Sequence, residues 1–110
     1  MPALTRLLTN LCADDLVASR DFYTALFDFQ VDYDSDWFVH LISADKQLEL
    51  GIIKRTSDVV PPDFQQPTQG MYLTFVVDDV EAVFQQAQEL GLSILQPPTD
   101  TFYGQRRLLL

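Results

Sequence analysis

The sequence predicts an α+β fold made from two copies of a strand–helix–strand unit. Three observations predict it. Apolar runs of strand length flank two stretches with helical periodicity. A pair of aspartates stands before each helical stretch, where a short carboxylate can accept from the free N–H groups of a first turn. After a proline-rich interruption the whole pattern starts again.

The first copy opens with residues 6–13, Arg-Leu-Leu-Thr-Asn-Leu-Cys-Ala, read as a strand ending at Asp14-Asp15. Residues 16–27 form a helix, because Ser19, Phe22, Tyr23 and Leu26 recur at one-face spacing. A second strand covers 29–33, and Asp34-Ser35-Asp36 is a turn. Residues 37–43 are aromatic and β-branched and predict a third strand. Ala44-Asp45 turns the chain, and residues 47–52 alternate with period two as a fourth strand, giving an antiparallel hairpin.

Residues 54–70 carry Pro61, Pro62 and Pro67 and read as a connector, since proline cannot donate to a ladder. The second copy follows: a strand over 71–77, a cap at Asp78-Asp79, and a helix over 80–90 with Val80, Val83, Phe84, Ala87 and Leu90 on its buried side. Gly91 stands where a left-handed residue ends a helix. A strand over 92–95 is stopped by Pro97-Pro98, residues 99–104 form a loop, and 105–110 begin another strand. A shift of 64 residues lays Asp14-Asp15-Leu16 on Asp78-Asp79-Val80, Ala18 on Ala82 and Leu26 on Leu90, so the two halves read as a duplication.

Composition narrows the function. The chain has 110 residues, enough for one domain, and 47% of them are apolar, enough for a packed core. Acidic residues outnumber basic ones 16 to 7, a formal charge of −9. Such a surface repels phosphate backbones and anionic lipid, so neither nucleic acid nor membrane is expected as a partner. The single cysteine, Cys12, excludes an intramolecular disulfide, and no secretion signal is evident at the N-terminus, so a cytoplasmic protein is expected. No Ser-His-Asp pattern, glycine-rich phosphate loop or cysteine pair is present.

Two stretches resemble the vicinal oxygen chelate superfamily, which includes glyoxalase, bleomycin-resistance and extradiol dioxygenase proteins. One is Asp-Leu-Val-Ala-Ser-Arg-Asp-Phe-Tyr-Thr-Ala-Leu-Phe-Asp-Phe, residues 15–29, with Asp28 in place of a usual glycine. The other is Val-Asp-Asp-Val-Glu-Ala-Val-Phe with Glu89-Leu90-Gly91; Tyr103-Gly104-Gln105-Arg106 is similar to the family's entry into a late strand. The resemblance implies tandem β-α-β-β-β modules, residues 4–54 and 71–110 joined by a connector over 55–70, forming one domain whose mixed sheet curls around a cleft. It also implies a homodimer and a final strand that would follow Leu110, so the second module reads as incomplete.

Metal-dependent relatives carry ligands on four strands. The resemblance lays three of those positions on Leu8, Glu49 and Tyr72, and the fourth beyond Leu110. Leucine offers no lone pair and a phenol is a rare ligand for such ions, so neither a metal centre nor any other cofactor is expected. A one-residue slip in strand phase would overturn this.

A pocket then remains, with polar groups on an apolar wall. Alternation sets Leu8, Asn10 and Cys12 on one side of the first strand, Gln47 and Glu49 on one side of the fourth, and Tyr72 and Thr74 on one side of the fifth. Asn10, Gln47, Glu49, Tyr72 and Thr74 are therefore candidate ligand-binding residues, with Trp37 as an aromatic rim. Arg106 and Arg107 point to opposite sides, and Arg107 is assigned to the cleft. Each has a plainer reading: Glu49 solvated, Tyr72 packed, Cys12 a small buried hydrophobe. His40, the one histidine, reads as structural.

The expected function is binding of a small hydrophobic or aromatic molecule without catalysis. Two alternatives stand beside it: a metal-dependent lyase, isomerase or dioxygenase in which Glu49 is ligand or general base, and a dimeric interaction module with no ligand.

Overall fold

A computed structural model describes all 110 residues. The chain divides into two compact units, Met1–Tyr72 and Leu73–Leu110.

The first unit holds β1 (Asn10–Ala13), α1 (Leu16–Leu26), β2 (Gln30–Asp34), β3 (Phe38–Ile42) and β4 (Glu49–Lys54). They form a mixed sheet in the order β1-β4-β3-β2. β1 runs parallel to β4, with Asn10 opposite Gly51 and Cys12 opposite Ile53. β3 is antiparallel to β4, with His40 opposite Gly51 and Ile42 opposite Glu49. β2 is antiparallel to β3 and bulges between Val31 and Tyr33, so Asp32 is the extra residue.

One sheet face is the core. Val39, Leu41, Leu50 and Ile52 are buried under α1, which contributes Leu16 and Leu26. Alternation then sends Phe38, His40, Ile42, Glu49, Gly51 and Ile53 to the other face. The helix begins as the sequence predicts, with a division of labour between the aspartates. Asp15 caps it, accepting from the Ala18 N–H at 3.0 Å, while Asp14 accepts from Arg55 Nε at 2.9 Å.

The hairpin turn is longer than Ala44-Asp45. It runs from Ser43 to Leu48, whose backbone groups bond at 2.9 Å, with Lys46 left-handed at φ 62°. Gln47 consequently lies in the turn rather than in β4, and its N–H donates to Asp45 Oδ1 at 3.1 Å. The connector is tied down: it contains a 3-10 turn at Pro62–Phe64, Cys12 Sγ donates to the Phe64 carbonyl, and Gln65 Nε2 donates to the carbonyls of Ser57 and Val60.

The second unit holds α2 (Val80–Glu89), β5 (Gln96–Asp100) and β6 (Arg106–Leu109), the strands forming an antiparallel pair. The repeat is visible at the helix N-termini. Asp79 accepts from the Ala82 N–H at 3.1 Å, the same bond as Asp15 to Ala18 after the 64-residue shift. The helix ends differ. Gly91 is left-handed at φ 71° and Leu92 N–H reaches the Ala87 carbonyl, closing a Schellman cap. The equivalent Phe27 carries a Cβ and leaves α1 in an extended conformation, φ −131°.

Two expectations for this unit fail. Residues 71–77 form no ladder, although their composition is that of a strand. In the first unit the equivalent β1 is held by β4 alone, and the described second unit has no strand equivalent to β4. Likewise the strand expected over 92–95 lies instead over Gln96–Asp100, across Pro97-Pro98. Two prolines are tolerated because the register shifts between Gln96 and Thr99, so neither has to donate. The expected single curled sheet is thus found as a four-stranded mixed sheet and a two-stranded one, with no ladder joining them.

Candidate functional site

The face of the first unit's sheet that points away from α1 gathers a chain of four polar side chains, of which His40 and Glu49 are only 12% and 16% exposed. Glu49 stands at the start of β4, and the diagonal geometry of the hairpin brings His40 Nε2 within 2.8 Å of Glu49 Oε1. On the other side His40 Nδ1 lies 2.9 Å from Asp32 Oδ2. The bulge in β2 is what makes Asp32 the extra residue there, beside the register pair Tyr33 and His40. From the segment leading into β1, Arg6 lays the Nε–Nη2 edge of its guanidinium against Glu49, with Nε at 3.0 and 2.9 Å from the two carboxylate oxygens and Nη2 at 2.5 Å from Oε1. Arg6 Nη2 also sits 3.5 Å from His40 Nε2.

This setting explains the ionisation of Glu49. The Arg6 hydrogen bonds, reinforced by His40, pull its carboxyl down to about 2 from an ordinary 4.5, against the opposing effect of partial desolvation. A carboxylate so stabilised is a weak base.

Around this chain the face is aromatic. The Phe38 ring stacks over His40 with an interplanar angle of 11°, and Trp37 and Tyr33 lie with ring centroids 5.5 and 6.2 Å from Phe38. Gly51 makes the floor: a Cβ there would collide with Asn10 Oδ1 and press on the Phe38 ring. Asn10 and Phe38 therefore close over a glycine that no other residue replaces without displacement.

Of the residues named from sequence, Asn10 and Glu49 lie on this face, and Trp37 borders it through Phe38. Leu8 falls in the same alternation phase as Arg6 and Asn10. Gln47 lies in the turn. Tyr72 is 85% exposed in the segment without a ladder. Thr74 and Arg107 belong to the second unit, where Arg107 Nη2 reaches only Gln96 Oε1, at 3.5 Å. Arg106 is bound by Glu81 and Asp100 at the rim of an open groove of about 370 Å³ beside the α2 N-terminus, so its charge is already matched.

Three members of the chain escaped the sequence reading. Arg6 precedes the strand core, Asp32 is brought in by a bulge that leaves no mark in composition, and a lone His40 signals nothing by itself. His40 was reachable: in an antiparallel hairpin it shares a face with Glu49.

The profile described as Glyoxalase/Bleomycin resistance protein/Dioxygenase superfamily matches residues 6–109. The chain belongs to this superfamily. Solved structures share its fold at low identity. A superfamily member from Sphaerobacter thermophilus superposes with a TM-score of 0.73 at 19% identity, over 96% of this chain and 86% of the other. A lactoylglutathione lyase from Agrobacterium tumefaciens gives 0.67 at 19%, over 97% and 84%. A bleomycin-binding protein complexed with bleomycin gives 0.60 at 16%, over 96% and 87%. No functionally curated protein sequence matches significantly. No helix is long and apolar enough to cross a membrane.

The donor set does not fit the divalent ion that metal-dependent superfamily members hold. Both Glu49 oxygens are taken by protein groups, Leu8 has nothing to donate, Tyr72 is solvated, and no three histidine, cysteine or acidic side chains converge in a ligating arrangement. A guanidinium lies against the one carboxylate that the family resemblance offers.

Proposed function

We propose that the chain is a small-molecule-binding member of the superfamily, taking a flat hydrophobic or aromatic compound on the first unit's open sheet face and using no resident metal. The observation that carries this reading is the Arg6–Glu49 pair on the face that holds the half-buried Phe38 ring and the more exposed rings of Trp37 and Tyr33. The carboxylate that could have held an ion is neutralised by an arginine, and Phe38 and Trp37 offer stacking surface next to it. The bleomycin complex of a fold relative supports this reading. Glu49 as a general base is disfavoured, because a carboxylate whose carboxyl is lowered to about 2 is too weak a base to take a proton near neutrality.

Gln47, Tyr72, Thr74 and Arg107 remain proposed contributors that a bound ligand would have to recruit. We also propose a cytoplasmic homodimer of single-domain chains; the lone cysteine and the exposed side chains of Met71, Tyr72 and Val76 support it.

The test uses Trp37, the one tryptophan, as its own reporter. Metal-free bleomycin, titrated into the full chain, should change Trp37 emission saturably, and Phe38→Ala should weaken the response by about tenfold. An unchanged response in Phe38→Ala would remove this face from the site.

A further inference from the structure

The polar groups of the open face are not all used within the protein. Arg6 spends Nε and Nη2 on Glu49. Guanidinium planarity then directs Nη1 away from that carboxylate, and Nη1 has no protein partner. The Arg6 side chain is 57% exposed, so these donors are open to a ligand. The Asn10 side chain lies over Gly51, beside the Phe38 ring, and its amide N–H groups are likewise unpaired. The Glu49 oxygens are committed to Arg6 and His40, and Asp32 Oδ2 to His40. Beside the Phe38 ring the unpaired donors are those of Arg6 and Asn10.

We infer that the face selects a planar ring bearing a carbonyl oxygen, the ring lying on Phe38 and the oxygen accepting from Arg6 Nη1 and the Asn10 amide. This rests on the proposed function and adds the chemistry of the ligand. Charge decides between a neutral carbonyl and a carboxylate. Arg6 already faces Glu49 and feels Asp32, so its charge is matched before any ligand arrives, within a protein of formal charge −9. A second anion is repelled there, whereas a neutral acceptor gains a charge-assisted hydrogen bond. Glu49 holds the guanidinium in place before the ligand arrives, so little ordering is lost on binding.

The experiment is an amide and side-chain NMR titration of the full chain with acetophenone, ethylbenzene and benzoate, repeated in Arg6→Lys. Lysine keeps the positive charge opposite Glu49 but has no second donor edge. Acetophenone should bind about tenfold more tightly than ethylbenzene and shift the Asn10 side-chain amide. In Arg6→Lys acetophenone should fall to the ethylbenzene level while ethylbenzene is unchanged. Benzoate should bind less well than acetophenone. Equal binding of acetophenone and ethylbenzene to the native chain would overturn the inference and leave ring binding intact. Tighter benzoate would replace it with an anion site. No perturbation around Phe38 by any of the three would remove the ligand reading of this face itself.

Discussion

The two units follow one plan and reach different degrees of completion. In the first, α1 lies on a four-stranded sheet and buries Val39, Leu41, Leu50 and Ile52. In the second, α2 has two strands to cover, and Ala87 is its one buried apolar residue. Val80, Val83 and Phe84 are only half-buried, and Leu90 is exposed. The capping bonds are the same in both. Local signals thus build the same helix twice, but only the number of paired strands gives it a floor. The difference also decides where the site can be. A rigid face that positions Arg6, His40 and Glu49 requires laddered strands behind it, and the first unit has them.

The largest effect that would break this comparison is in the cores. Leu41→Ala should cost about 2–5 kcal/mol by leaving a cavity in a fully packed site, whereas Phe84→Ala should cost about 1–2 kcal/mol, both read by denaturant unfolding. Equal losses would mean that the second unit is packed as well as the first. Next, Gly51→Ala should cost about 1–3 kcal/mol, because its Cβ must displace Asn10 and Phe38, and it should weaken ligand binding with it. Smaller still, Asp15→Ala and Asp79→Ala should each cost about 1 kcal/mol, similar to one another because the caps are equivalent.

The smallest effect is pH-linked. The Glu49 carboxyl is lowered in the folded chain, so its contribution is present above its ordinary 4.5 and is lost as pH falls toward about 2. The stability difference between the native chain and Glu49→Gln should be flat from about pH 5 to 8 and shrink only below that window. A change across neutrality would assign the linkage to another group.

What the sequence made legible was local or periodic. Both helices, their aspartate caps, the left-handed Gly91 and the β3–β4 hairpin follow from residue type and spacing. Residues 71–77 misled because propensity describes a strand's side chains and cannot report whether a partner strand exists. Pro97-Pro98 misled in the opposite direction: proline forbids donation, and a register shift removes the need for it. The site was half legible for the same reason. Glu49 and Asn10 follow from alternation, but Arg6 comes from outside the ladder and Asp32 depends on a bulge.

In the proposed reading the Arg6 guanidinium, rather than a metal ion, neutralises Glu49. Calorimetric titration of chelator-treated full chain with zinc and manganese tests it most directly, alongside the metal content of the protein as purified. The account predicts substoichiometric metal and no binding event that depends on Glu49. One equivalent of tightly held ion, lost in Glu49→Gln, would contradict it.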